Sequence, residues 1–263
     1  MSDLLFDRKL LRVNQGRFSD QFHDHNFLHH EIAQIMADNI LAMNRDFSDM
    51  VEISAKDNFL TNYITDNKKV KRKITSSLNS ANFSDVVFDD EEIPFKKESL
   101  DLVVSNLNMQ HINKIPQFLM QVNASLKENG VFMASFFGEE NLLDLKKATF
   151  EAESEILGGV SPRFIPVIDI QMAANLLAKA GFKDPISTLE KIDVTYERSM
   201  NILRDLKYMG QGNILNLKSR KFATAKFLDE ILNKYAKIAD NDDSGVNVRY
   251  EVIIVIGWKR NKK

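Results

Sequence analysis

The chain has 263 residues, 44% of them hydrophobic and 27% charged, which is enough apolar material for one large core, or one core with an appended cap. Its formal net charge of −2 gives no electrostatic reason to expect a nucleic-acid partner, and the absence of cysteine excludes disulfides, thiolate metal sites and a cysteine nucleophile. No run approaches the roughly 18 apolar residues of a membrane span, and neither a signal peptide nor an arginine-rich transit pattern opens the chain, so a cytoplasmic protein is expected.

Residues 3–22 mix Leu4, Leu5, Phe6, Leu10 and Leu11 with Arg8, Lys9, Arg12 and Arg17, the pattern of an amphipathic helix lying over a surface. Residues 27–41 form a second helix, with Ile32, Ile35, Met36 and Ile40 on one face. His25 and His29 have the spacing of a helical metal pair, but no third ligand is signalled and a polar helix face explains them equally well, so no metal is expected. Residues 47–54 read as the first strand and residues 59–64 as a short helix. A nucleotide-type cofactor usually sits where such a strand opens into a helix, with glycines letting the backbone approach it; this loop has none.

Residues 71–77 read as a second strand and residues 83–88 as a third, followed by the acidic run Asp89-Asp90-Glu91-Glu92 and the turn Ile93-Pro94-Phe95. The next stretch organises the chain. Residues 100–105 are a buried strand, residues 115–126 place Ile115, Phe118, Leu119, Val122 and Leu126 at helical spacing, Gly130 supplies a stop, and residues 131–136 are another buried strand. Strand, helix, strand predicts a parallel pair joined by a right-handed crossover. Beyond it come a helix over 140–156 ended by Gly158-Gly159, the loop VSPRFIP, a helix from Asp169 to Ala180, a strand over 186–196, helices over 199–209 and 219–239, and a final apolar strand over 250–258. The alternation predicts a three-layer α/β fold with about seven strands.

The residues then carry a family resemblance. The turn DDEEIPF, the strand SLDLVVS at 99–105 and LKENGVF at 126–132 resemble class I S-adenosylmethionine-dependent methyltransferases of the type 11 kind. FDRKLLRVNQGRF, GGVSPRFIP, DIQMAANLLAKAGF, VTYERSMNILRDLKYMGQGN and YEVIIVIGWK are similar to the group containing the complex I assembly factor that hydroxylates an arginine. A carrier-protein methyltransferase of the biotin pathway is a more distant cousin. The resemblance implies a Rossmann-like seven-stranded sheet in one domain over 1–263, with an N-terminal helical cap (1–45), a sheet core (46–198 and 250–258) and a helical insertion (199–239).

The resemblance also marks a departure. The family's first loop carries an acid and three glycines; the matching positions here are Glu52, then Ser54, Lys56 and Asn58. A side chain at each takes space the cofactor would use, and a glycine-like backbone would be strained, worst at Lys56 and least at Asn58. The acid that binds the ribose hydroxyls matches Ser76 or Ser77, whereas the acid near the adenine is retained as Asp89. The cofactor crevice is therefore expected to include Glu52, Ser54, Asp89, Asn106 and Leu107, with Gln110 nearby, and S-adenosylmethionine binding to be weak or lost. His111 reads as a base or as a helix-entry residue, the latter preferred; Arg163 reads as a substrate contact or as half of a structural ion pair. The function expected is an assembly or interaction factor, with the respiratory NADH dehydrogenase (complex I) as the suspected partner. The alternative is an active methyltransferase or arginine hydroxylase of the same group. A Rossmann oxidoreductase is disfavoured because no G-x-G-x-x-G follows the first strand.

Overall fold

A computed structural model of the chain describes residues 4–80, 83–219, 223–239, 241–242 and 245–260. Among them the strands are β1 (Phe47–Glu52), β2 (Val70–Ser77), β3 (Val86–Val87), β4 (Leu100–Ser105), β5 (Leu126–Phe137), β6 (Phe182–Tyr196), β7 (Asn241–Asp242) and β8 (Gly245–Lys259). The helices are α1 (Arg8–Arg17), α2 (Phe27–Ala42), α3 (Phe59–Asp66), α4 (Ile115–Ser125), α5 (Leu143–Leu157), α6 (Ile170–Lys179), α7 (Ser199–Tyr208) and α8 (Ala225–Ile238).

The main sheet runs β3-β2-β1-β4-β5-β8-β6, with the short β7 pairing only to β8. Strands β3 through β5 are parallel, and β8 lies antiparallel between β5 and β6. The predicted β4–α4–β5 unit is present, with Val103 beside Phe132 and Val104 beside Met133. Alternating residues of the central strands feed two cores. Met50, Leu102, Val104, Met133 and Ile254 face a layer that includes α2, α3, α5 and α8, whereas Val51, Val103, Phe132, Ala134 and Val255 face α4 and α6. A third cluster of Phe6, Leu11, Leu78, Ile214 and Leu215 ties the N-terminal segment to the loop after α7.

Three local expectations are corrected. Helix α4 ends at Ser125, and Gly130 is not its stop: Leu126 already pairs with Leu100, and residues 127–130 bulge before Val131 meets Leu102, with Asn129 taking the left-handed backbone at φ 59°. The third strand is only two residues long, because this edge pairs at Ser76–Val86 and Ser77–Val87 and no further. The helix expected over 219–239 starts at Ala225, where Thr224 accepts from the Phe227 amide; positions 220–222 lie outside the described residues. The caps foreseen at Asp169, which accepts from Met172, and at Gly158, at φ 66°, are both formed. No helix of the described residues is long and apolar enough to cross a membrane.

Candidate functional site

Strand order reverses between β1 and β4, so the loops leaving their carboxyl ends open a crevice at the topological switch point. The β1 loop begins at Glu52. Ser54 then turns at φ 54°, the left-handed region that glycine enters freely, and its amide donates to Ser76 Oγ at 3.2 Å while Ser76 Oγ donates to Glu52 O at 3.0 Å. Backbone strain therefore falls on Ser54. Lys56, expected to be the worst fit, is not in the left-handed region, and Asn58 sits at φ −100° as the residue before α3. Strain is therefore absent where it was expected at those two positions: a side chain there takes up space without distorting the chain.

The acidic run after β3 folds into this crevice and is held by a residue absent from the expected site. Arg8, at the start of α1, pairs with Asp90 and with Asp89, the latter at 2.7 Å. The Asp90 side chain is wholly buried and also accepts from Ser54 Oγ at 2.7 Å and from Asn108 Nδ2 at 2.6 Å. Asp89, the acid matched to the family's adenine contact, keeps 34% side-chain exposure at the rim. A charged pair at such depth is worth keeping only when its remaining hydrogen-bonding capacity is met, and Ser54 and Asn108 meet that of Asp90. Arg8 Nη1 also donates to the His111 carbonyl at 3.1 Å, linking α1 to the segment after β4.

Several ionisable groups around the crevice have been moved from their ordinary ranges. Burial, then repulsion from Asp57, raises the Glu52 carboxyl to about 8, and its Oε2 has no partner. Burial, then repulsion from Arg8, lowers the Lys56 ammonium to about 7. His29 and His111 are each pushed down to about 3 by burial and then by the Lys56 charge, with the Gln211 amide partly opposing the shift at His111. Both rings are thus neutral in the folded chain and take up protons on unfolding below their ordinary value of 6.5. The unfolded state binds more protons across that window, so stability falls as pH drops through it. In denaturant titrations taken at about pH 6 and about pH 5, the chain should lose roughly 2 kcal/mol more on that step than a His29→Leu/His111→Leu variant. Equal losses would show that the rings are not held neutral.

The open space left beside the β1 loop is a cavity of about 80 Å³ lined by Lys56, Ser77, Asn79, Phe18, Phe22 and Tyr208, among others. Sites for drug-sized ligands usually run from about 300 to 1,000 Å³. Lys56 borders this cavity, and the Arg8–Asp90 pair ties α1 to the loop after β3. Serine at the end of β2 supplies no carboxylate for a ribose, since Ser76 Oγ is engaged by the β1 loop and Ser77 Oγ donates to Asn79 O.

The other expected residues are placed as follows. Asn106 is buried, donating to His29 O at 2.8 Å and accepting from Ser135 Oγ at 2.9 Å. Leu107 turns at φ 46° and its side chain enters the core, while its amide donates to Ser135 Oγ at 2.8 Å. Arg163 Nη2 lies 2.9 Å from the buried Glu153 carboxylate and its guanidinium sits 4.7 Å from the Phe227 ring centre. That is the structural ion pair, and it takes up the group that the substrate reading needed. His25 pairs with Asp205 at 2.5 Å and stacks on Tyr208, and no cluster of three or more metal-ligating side chains occurs among the described residues. Arg8, Asp90, Asn108 and His29 were missed. The FDR of residues 6–8 was the available signal for Arg8, but nothing local says that a helix-start arginine will reach an acidic loop some 80 positions away.

This sheet order and this crevice define a methyltransferase-type α/β protein. A family described as a methyltransferase domain matches residues 40–134. The zebrafish (Danio rerio) mitochondrial arginine-hydroxylase NDUFAF5 is 28% identical, the match covering 97% of this chain and 83% of that protein. A Rickettsia prowazekii protein named as a methyltransferase is 27% identical over 76% of this chain and 91% of its own length. The Bacillus subtilis YcgJ structure superposes with a TM-score of 0.58 at 13% identity, covering 89% of this chain and all of that one, which speaks to the fold alone. The chain has the methyltransferase fold and is similar in sequence to proteins of the class I S-adenosylmethionine-dependent methyltransferase group.

Proposed function

We propose that this is a methyltransferase-fold protein with weakened or lost S-adenosylmethionine binding that works as an assembly or interaction factor, with the respiratory NADH dehydrogenase (complex I) as its partner. One observation carries the reading: the crevice where the cofactor would lie is taken up by the chain's own Arg8–Asp90 pair and bordered by Lys56, leaving a cavity of about 80 Å³. The Asp90 carboxylate already has three partners, so a ligand entering there would displace interactions within the protein. Similarity along 97% of the chain to a protein named arginine-hydroxylase NDUFAF5 supports the choice of partner.

A second reading, an active methyltransferase or arginine hydroxylase, draws on the backbone at Ser54. At φ 54° the loop keeps the turn that a glycine there would make. Isothermal titration with S-adenosylmethionine separates the two. The first reading expects no saturable heat below millimolar ligand, and binding at micromolar concentration or tighter would overturn it. Copurification of NADH dehydrogenase subunits with the tagged chain is the matching expectation for the partner; their repeated absence would count against that assignment.

A further inference from the structure

Beyond the carboxyl ends of β4 and β5, two cavities adjoin. The larger, about 180 Å³, is walled by Phe6, Met109, Ile115, Phe136 and Ile168 among others, and no charged side chain lines it. The smaller, about 90 Å³, has Asn141, Lys146 and Gln211 in its wall together with half-buried Phe164 and Leu206. Gln110, Phe137 and Val167 line both, so the two make one groove with an apolar end and a polar end. No carboxylate faces either part. Glu139 and Glu251 act electrostatically on Lys146 but stand outside the lining.

Two amide atoms in the wall of the polar end, Gln110 Oε1 and Gln211 Nε2, are buried with no hydrogen bond of ordinary geometry, the Gln211 amide lying beside the neutral His111 ring. Gln110 is 6% exposed, and its Nε2 donates to the Leu107 carbonyl at 2.8 Å, which leaves the acceptor oxygen as the unmet atom. A buried polar group left unpaired costs about 1–3 kcal/mol, so an acceptor and a donor in one cavity wall define what would relieve them. A primary amide answers both, giving an N–H to Gln110 and taking one from Gln211. A guanidinium brings donors only, leaves Gln211 unanswered and meets the Lys146 ammonium. A carboxylate brings acceptors only and leaves Gln110 unanswered.

We infer that the groove holds an asparagine or glutamine side chain of a partner protein, its amide between Gln110 and Gln211, with a neighbouring apolar side chain of the partner in the larger cavity. The inference rests on the reading of this chain as an interaction factor and names the chemistry its partner segment presents. It does not depend on whether the cofactor binds, so its failure is distinct from a positive S-adenosylmethionine titration.

The test uses the full chain, labelled with nitrogen-15, and blocked tripeptides Ala-X-Ala with glutamine, norleucine, glutamate or arginine at X. Side-chain amide resonances of Gln110 and Gln211 should shift saturably with the glutamine peptide, which should bind about tenfold more tightly than the other three. A Gln110→Leu/Gln211→Leu variant with an otherwise unchanged spectrum should lose that preference and bind glutamine and norleucine peptides alike. Binding of the arginine or glutamate peptide as tight as that of the glutamine peptide would overturn the inference, as would the absence of any saturable shift at these two amides.

Discussion

Arg8→Ala should lower the free energy of unfolding by about 3–5 kcal/mol, because it strands a carboxylate in the interior. Asp90 has no exposed side-chain surface, and Arg8 is its charged partner, with Ser54 and Asn108 as its neutral ones. Two companion variants identify the cause. Asp89→Asn removes a carboxylate at the crevice rim, where solvent screens the pair, and should cost less than about 1 kcal/mol. Arg8→Ala/Asp90→Asn removes both charges and should recover a good part of the loss, giving a coupling energy well above zero in the double-mutant cycle. Denaturant unfolding of these four proteins and of Asp90→Asn alone, which closes the cycle, measures it; a loss below about 1 kcal/mol for Arg8→Ala would show that water reaches Asp90 and that the pair does not close the crevice.

Restoring glycine at Ser54, Lys56 and Asn58 should raise affinity for S-adenosylmethionine by at least about tenfold, a change of about 1.4 kcal/mol or more in binding free energy. The three positions contribute differently. Ser54 already holds the left-handed turn, so glycine there relieves about 1 kcal/mol of backbone strain and should raise stability. Lys56 borders the cavity, and its removal both enlarges that space and takes a positive charge away from His29 and His111. Asn58 has an ordinary backbone, and its change to glycine should cost stability without adding affinity. Titration of the triple variant and of Lys56→Gly alone separates these contributions. If the triple variant stays silent, the closure lies in the Arg8–Asp90 pair, and the Arg8→Ala/Asp90→Asn background becomes the one to titrate.

The Arg8–Asp90 pairing, the burial of Glu52 and Lys56 and the groove at Gln110 all follow from which residues meet across long separations. Arg8 reaches Asp90, Asn106 reaches His29, and Phe6 pairs with Leu215. Each joins segments between 77 and 209 positions apart. Periodicity and motif spacing carry no record of such meetings, which is why Asp89 was expected in the crevice while its neighbour Asp90 took the buried place. The same limit explains Arg163: a proline-bracketed arginine looks available until α5 brings Glu153 beside it.

What the sequence determined by itself was local and periodic. Buried strands announced themselves as apolar runs, helices by their spacing, caps by Asp169 and Gly158, and the order of these elements sufficed for the three-layer sheet, because short-range pattern and the right-handed crossover leave few other ways to bury so much apolar surface. The missing glycines of the β1 loop were equally plain. Only the tertiary structure decided what their absence does. Ser54 keeps the turn, Lys56 borders the remaining space, and Arg8, arriving from the far end of the chain, neutralises Asp90. Such electrostatic and steric contacts depend on distances of a few ångströms between residues far apart in sequence, and those distances exist only once the chain has folded.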